Sequence, residues 1–393
     1  MQKQRILIVH NYYQVPGGED TVVANEKKLL EKNGHKVILY SKSNSELKNM
    51  NIFQKLMLPV NIVFNFKTYK DIKKIIKDKH IDIVHVHNTL SLISQSVYYA
   101  AISCKVPVVQ TVHNFRFLCP NATFYRNGHI CEDCVEKGLG CSIKHNCYRN
   151  SKIQTIACVI NMKFHRLTGI YSKINYICLT EFNKKKMLKI NNGKNIIIPP
   201  AKIYIKPNFT FDLFKNNYKA DKGEYYLFIG RIEKIKGIDL LINAFNKIPE
   251  KRLVIAGNGE ELDKYKKNAG SNIDFVGYLN KKQLLEKLNN AKAVIVTSQC
   301  YESFGMMVIE AYAAHKAVIS TNLGNIRHMV VEKETGMKFK YNSVDSLIKA
   351  IYQFEELDAK CLGENAYRLY KEKYNPTINY KMLKNIYDDI MNI

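Results

Sequence analysis

RILIVHNYYQVPGGEDTVVANEKKLLEKNGHKVILYS, residues 5–41, is the stretch that decides the fold. RILIVH (5–10) is a short apolar run with strand composition, and it ends in the turn-like NYYQVPGGED. TVVANEKKLLEKNG then repeats apolar residues at helical spacing before HKVILYS returns to strand composition. A strand, a helix and a strand in that order form a crossover unit, and crossovers build parallel sheets.

The alternation continues outward. DIVHVHN (82–88), the helical SQSVYYAAISCK, PVVQTVH (107–113), INYICLT (174–180) and NIIIPP (195–200) extend it through the first half. KPNFTFDLFKNNYKADKGE (206–224) has little periodicity and is the best linker candidate. After it the pattern restarts with YYLFIGR (225–231), RLVIAG (252–257), IDFVGYL (273–279), AVIVTS (293–298) and AVIST (317–321). The tail PTINYKMLKNIYDDIMNI reads as one more amphipathic helix behind Pro376. A chain of 393 residues exceeds one ordinary core and suits two. The expected architecture is α/β, with two Rossmann-like, doubly wound domains facing a central cleft. Residues 1–210 form the first domain, with a Cys-rich insert at 115–150, and 211–373 form the second. Residues 374–393 form a helix that returns to the first domain. Doubly wound sheets bind ligands beyond the carboxyl ends of their strands, so functional residues should follow strands.

Composition narrows the function classes. There is no run of 18 apolar residues, and MQKQRILIVH lacks the apolar stretch of a signal peptide, so a cytoplasmic protein is expected. Ten cysteines in such a chain point to reduced thiols or a metal rather than a disulfide framework. The formal charge of +25 is uneven, because residues 1–200 hold 30 Lys+Arg against 12 Asp+Glu. That half seeks an anion: nucleic acid, an anionic bilayer or a phosphorylated substrate. FKTYKDIKKIIKDKH (66–80) and Lys184-Lys185-Lys186 are the candidate membrane-facing clusters. No RNA-binding signature accompanies them, so no nucleic acid partner is expected.

Four places after strands carry candidate chemistry. Arg231 and Lys236 of GRIEKIKG (230–237) leave one strand end together and could converge on a diphosphate, although a solvated loop is the plain alternative. Glu302 and Glu310 bracket YESFGMMVIE (301–310), where Ser303, Phe304 and Gly305 are expected to start a helix whose free N–H groups attract phosphate. Glu310 would then lie roughly 8 to 9 Å beyond that start. Gly17 and Gly18 of GGED allow positive φ and close backbone approach to a ligand. His113 of TVHN ends a first-domain strand at the crevice. GNGEEL (257–262) begins like a dinucleotide fingerprint, but Leu262 replaces its third glycine, and no G-x4-GK[ST] loop, Asp-x-Asp pair or G-x-S-x-G elbow occurs.

PGGED, TVH, GRIEKIKG and ESFGMMVIE together resemble the retaining glycosyltransferases of the GT-B fold with the E-x7-E motif, a family 4-like group that includes bacterial surface polysaccharide enzymes. The resemblance implies a nucleotide-diphosphate sugar, a UDP-sugar above all, bound mainly by the second domain. In that site Glu310 would hold the ribose hydroxyls, Arg231 and Lys236 the diphosphate, and the backbone around Phe304, Gly305, Met306 and Met307 the phosphate and sugar. Glu302 would contact the transferred sugar, His113 would line its site from the first domain, and Gly17 and Gly18 would lie near the diphosphate. His113 and Glu302 are thus the candidate catalytic residues, and no catalytic cofactor is required. The implied acceptor is a glycan or polyprenyl-linked glycan at the inner face of the cell membrane, where the protein would be peripheral. The rival readings are a catalytically inactive binder of sugar nucleotides or nucleic acid, and a phosphorylase of the same fold.

CPNATFYRNGHICEDCVEKGLGCSIKHNCYR (119–149) holds five cysteines and two histidines. Cys131 and Cys134 have the C-x2-C spacing of a zinc knuckle, with the remaining ligands open among Cys119, Cys141, His145 and Cys147. A bacterial subgroup of the resembled family is similar at Cys119, Cys131, Cys134 and Cys147, which makes those four the implied structural zinc ligands. Plain reduced thiols are the other reading.

Overall fold

The computed structural model describes residues 3–15, 17–193, 195–212, 214 and 223–392. Apolar runs flanked by turns become strands, the central ones buried on both faces and edge strands such as Lys36–Ser43 and Ile273–Gly277 only partly so. In the first unit they are β1 (Arg5–Tyr12), β2 (Lys36–Ser43), β3 (Ile83–Asn88) and β4 (Val108–Val112); a two-stranded hairpin, β5 (Tyr125–Arg126) and β6 (His129–Ile130), intervenes before β7 (Asn175–Cys178) and β8 (Ile203–Ile205). The six long-range strands pair in parallel in the order β2-β1-β3-β4-β7-β8. The second sheet is β9 (Tyr225–Ile229), β10 (Leu253–Ala256), β11 (Ile273–Gly277), β12 (Ala291–Val296), β13 (Ala317–Thr321) and β14 (Gly336–Phe339). Its order, β11-β10-β9-β12-β13-β14, is the 3-2-1-4-5-6 arrangement of a doubly wound sheet.

The chain divides into two units. One comprises Met1–Thr123, Glu132–Pro207 and Asn379–Ile393, and the other Phe124–Cys131 and Asn208–Ile378, so the β5-β6 hairpin groups with the second. In the first unit Ile6, Ile8, Ile83, Val109 and Ile177 cover one sheet face. Val23 and Leu30 from the helix Gly18–Lys32 pack on it, as do Leu383, Ile386 and Tyr387 from the helix Pro376–Met391. Each such aliphatic residue, fully removed from water, contributes roughly 1.5–3 kcal/mol.

Two expectations are corrected, and one strand is added. NIIIPP (195–200) forms no strand; Asn191 Oδ1 instead accepts from the N–H groups of Ile197 and Ile198, both at 2.9 Å, and two prolines follow. The sixth strand of that sheet lies just beyond, at β8. The linker does not begin at Lys206, because this side chain is 1% exposed and holds Glu26 Oε2 at 3.0 Å and Asn379 Oδ1 at 3.1 Å. Of that linker, 213 and 215–222 lie outside the described residues. GMKF (336–339), outside the strands read from the sequence, completes the second sheet as β14.

Candidate active site

In the second unit the loops after the strands are packed backbone to backbone. A Cβ on Gly257 or Gly259 would overlap the carbonyl of Gly230 or Ile232, and Ile232 N–H donates to Asn258 O at 2.9 Å. The glycines of GNGEEL therefore brace the loop that carries Arg231. Gly237 sits at φ +74 against the Thr297 carbonyl, and Thr297 Oγ1 donates to Lys236 O at 2.7 Å. This fixes where the Lys236 side chain leaves the main chain.

Lys236 Nζ lies 2.6 Å from Glu302 Oε1, and Ser298 Oγ donates to the same oxygen at 2.5 Å. Burial works against the Glu302 charge, but Lys236 and the bonds from Lys236 and Ser298 outweigh it and hold the carboxyl below its ordinary range. Asn325 Nδ2 anchors the loop by donating to the carbonyls of Glu302 and Ser303, each at 2.7 Å. Arg231 is more than half exposed and lies 3.1 Å from Glu233, and its charge adds a smaller pull on Glu302.

The helix after this loop is Met306–Ala313, three residues later than the expected start at Ser303. Gly305 precedes it at φ +135, where a Cβ would lie 2.5 Å from Ile326 Cδ1, so only glycine turns the chain into the helix here. Glu310 is then four residues from the first helical residue, roughly 6 Å along the axis rather than 8 to 9 Å. Met306 and Met307 contribute first-turn N–H groups, which no helix can satisfy internally. Phe304 turns its ring inward against Tyr374 at 6.0 Å, so the backbone is what it can offer a ligand. The Glu310 carboxylate has no hydrogen bond to another side chain among the described residues, and burial pushes its pKa up to about 7.

In the first unit Gly17 adopts φ −132, not the positive φ anticipated, and a Cβ there would meet nothing within 4 Å. Gly18 opens the helix Gly18–Lys32. Asp20 fastens this turn, accepting from Gly17 N–H at 2.9 Å and contacting His10 Nε2 at 2.7 Å. His113, one residue past β4, is 8% exposed, and its Nε2 lies 2.8 Å from His87 Nδ1 on β3. His87 and His85 share one face of the strand with Glu26 of the first helix. The H-x-H spacing of His85 and His87 is the sequence signal for this cluster. Ser298 and Asn325 carried no comparable signal.

Cys119 is buried, and Cys131, Cys134, Cys141 and Cys147 are partly buried. The set of three potential metal ligands within 4.8 Å of one another among the described residues is a different one, Glu26, His85 and His87.

Two parallel-sheet α/β domains with these loops define the class, and the comparisons agree. Residues 210–372 match the family described as Glycosyl transferases group 1, and residues 16–129 match Glycosyltransferase Family 4. The chain is a glycosyltransferase of the GT-B fold. It is 25% identical over 311 residues to an uncharacterized 42.6 kDa protein in the cps region of Klebsiella pneumoniae, covering 78% of this chain and 75% of that one. It is 30% identical over 206 residues to the lipopolysaccharide 1,2-N-acetylglucosaminetransferase of Salmonella typhimurium, covering 45% of this chain and 54% of that one. A Rickettsia africae glycosyltransferase superposes with a TM-score of 0.71 at 18% identity, covering 100% and 99% of the two chains. Anabaena HepE, solved with UDP and glucose, superposes at 0.65 with 15% identity over 98% and 99%.

Proposed function

We propose that this enzyme transfers a sugar, with retention of anomeric configuration, from a nucleotide-diphosphate sugar to a lipid-linked glycan in bacterial surface polysaccharide synthesis. The observation that carries the reading is Glu310. A mostly buried carboxylate without a side-chain partner is costly, and vicinal ribose hydroxyls are the neutral double donors that would relieve it. Arg231, Lys236 and the N–H groups of Met306 and Met307 then neutralise the departing diphosphate. Glu302 meets hydroxyls of the transferred sugar. The bond from the sugar's anomeric carbon to the diphosphate breaks as a bond to the acceptor oxygen forms on the same face, and the acceptor's proton passes to the diphosphate. UDP is the favoured carrier, on the support of the Anabaena neighbour. The test is calorimetry against UDP-, GDP- and dTDP-sugars followed by transfer assays. Binding without hydrolysis or transfer would favour the inactive-binder reading.

A lipid-linked acceptor is supported by the surface of the first unit. The helix Ile52–Val63 buries none of its residues and exposes Ile52, Phe53, Leu56 and Val60. It packs against the helix Lys152–Leu167, which exposes Ile153, Ile160 and Leu167, and His165 joins them by a 3.0 Å bond to Val63 O. Residues 51–70 and 150–174 carry Lys55, Lys67, Lys70, Lys152, Lys163, Arg166 and Lys173 and no carboxylate. Exposed apolar side chains on segments that carry cations and no carboxylate suit the interface of an anionic bilayer, at about 1 kcal/mol per basic residue. Next to them Phe64, Phe66, Tyr69 and Tyr99 line a groove of about 580 Å³ with Lys70 and Lys173 at its edge. This surface replaces the Lys184–Lys186 cluster, where Lys186 pairs with Glu132 and Lys184 donates to Ile203 O. No described helix is long and apolar enough to cross a membrane. The proposal places the enzyme as a peripheral protein on the cytoplasmic face.

The insert completes the proposal. Cys119, Cys131, Cys134 and Cys147 are the proposed ligands of a structural zinc, supported by the C-x2-C spacing of Cys131 and Cys134; the metal would staple the insert and take no part in transfer.

A further inference from the structure

Glu26, His87, His113 and Lys206 are all less than 9% exposed, and they form a continuous chain of contacts inside the first unit. Lys206 Nζ holds Glu26 Oε2 at 3.0 Å. Glu26 Oε1 faces His85 Nδ1 at 3.0 Å and His87 Nε2 at 3.3 Å. His87 Nδ1 meets His113 Nε2 at 2.8 Å, with the two rings stacked at 5.1 Å. The set is poorly disposed to hold a metal. The lysine cation already occupies one carboxylate oxygen, and His85 is engaged on both sides, by Tyr387 at 2.6 Å and Thr111 at 2.7 Å.

The arrangement determines where the protons sit. Among the described residues His87 Nε2 has no hydrogen-bond partner and faces only the Glu26 carboxylate, so this buried nitrogen is relieved only by carrying a proton toward Glu26 Oε1. A proton on His87 Nε2 places an N–H against the carboxylate, whereas its absence sets two lone pairs face to face at 3.3 Å. Burial, helped by His85, keeps His87 down at about 3 despite the pull of Glu26, so this ring carries one proton near neutral pH. With that proton on Nε2, His87 Nδ1 is an acceptor, and His113 Nε2–H must be its donor.

We infer that Glu26, acting through His87, is a positioning residue that fixes His113 as the Nε2–H tautomer and leaves its Nδ1 a bare hydrogen-bond acceptor. The inference rests on the reading of His113 as a wall of the transferred-sugar site. An uncharged acceptor selects a hydroxyl of that sugar and has no attraction for phosphate. The same network ties His113 to the returning C-terminal helix, because Lys206 also binds Asn379 and His85 binds Tyr387.

The test is nitrogen-15 spectroscopy of the full chain labelled at histidine, with His113 identified by loss of its signals in His113→Asn. The expected wild-type spectrum has a protonated Nε2 and an unprotonated Nδ1. Glu26→Gln combined with Lys206→Met removes the anion and its counter-ion together, avoiding an unpaired buried charge. It should move His113 toward the Nδ1–H form and lower kcat at least tenfold, while the Kd for UDP changes less than threefold. Should that pair not fold, His87→Phe keeps the ring and removes the acceptor, with the same expected loss, and His87→Gln should recover part of it through its amide oxygen. A wild-type His113 protonated at Nδ1, or a tautomer and kcat unchanged in the folded variants, would overturn the inference. A chain that binds no nucleotide sugar would defeat the functional reading instead, and the tautomer of the unliganded protein would still be decided separately.

Discussion

Glu310→Gln separates binding from stability in a way that only a strained ligand contact can produce. Burial raises the carboxyl from its ordinary value near 4.5 to about 7, which corresponds to about 3 kcal/mol of disfavoured charge. The sign follows from proton counting: between those values the folded state holds the proton that the unfolded chain has released. This group's contribution therefore falls as pH rises from about 4.5 to about 7 and is level above. At pH 8 the neutral amide escapes most of that penalty, so the variant should unfold a few degrees higher, by about 2 kcal/mol. Binding should move the other way. If the ligand's hydroxyls need the ionised form, the wild-type Kd for an intact UDP-sugar should weaken about tenfold from pH 8 to pH 6, since an esterified diphosphate does not titrate there. In Glu310→Gln the Kd should be weaker at pH 8 and flat with pH. Calorimetric titration at four pH values and thermal unfolding at pH 8 read both effects. A variant that is no more stable than wild type and keeps the wild-type pH dependence would refute the argument.

Lys236→Ala should weaken UDP binding and, by leaving Glu302 half-buried with only Ser298 for a partner, lower stability by about 1–2 kcal/mol above pH 5, a loss that fades as pH falls and Glu302 protonates; urea titration at pH 7 and pH 4 checks the sign. Glu302→Ala should impair sugar transfer more than binding of bare UDP, and equal losses would place its role elsewhere. Gly305→Ala should destabilise the second unit by about 1–3 kcal/mol, because a methyl at φ +135 meets Ile326, and melting curves would detect it. Phe53→Asp with Leu56→Asp should abolish sedimentation with anionic liposomes without changing transfer to a soluble acceptor. Elemental analysis should find one zinc per chain, lost in Cys131→Ser with Cys134→Ser; metal-free protein with an ordered insert would end the zinc proposal.

Alternation of apolar runs with helical periodicity was sufficient for ten of the twelve strands in the two large sheets, because the central strands are buried on both faces and must be apolar throughout, and even the partly exposed β2 and β11 keep an apolar run. The same local logic placed Arg231, Lys236, Glu302, Glu310 and His113 after strands, where α/β folds bind ligands. It failed where a side chain outside the run took up its backbone N–H groups, or where a short run found a strand edge to pair with. NIIIPP is as apolar as any strand, but Asn191 captures its amides, and GMKF pairs only because β13 offers an edge.

Tertiary structure alone decided which charges meet. Lys236 and Glu302 are 66 residues apart, and Lys206 and Glu26 are 180 apart. No spacing rule links them, since their proximity depends on strand order rather than on sequence distance. The helix Met306–Ala313 likewise begins only after Gly305, whose φ of +135 is non-helical and whose position beside Ile326 leaves no room for a side chain. The protons on His87 and His113 belong to the same category. A histidine's sequence neighbours cannot say which nitrogen is protonated, because that depends on what lies 3 Å away after folding.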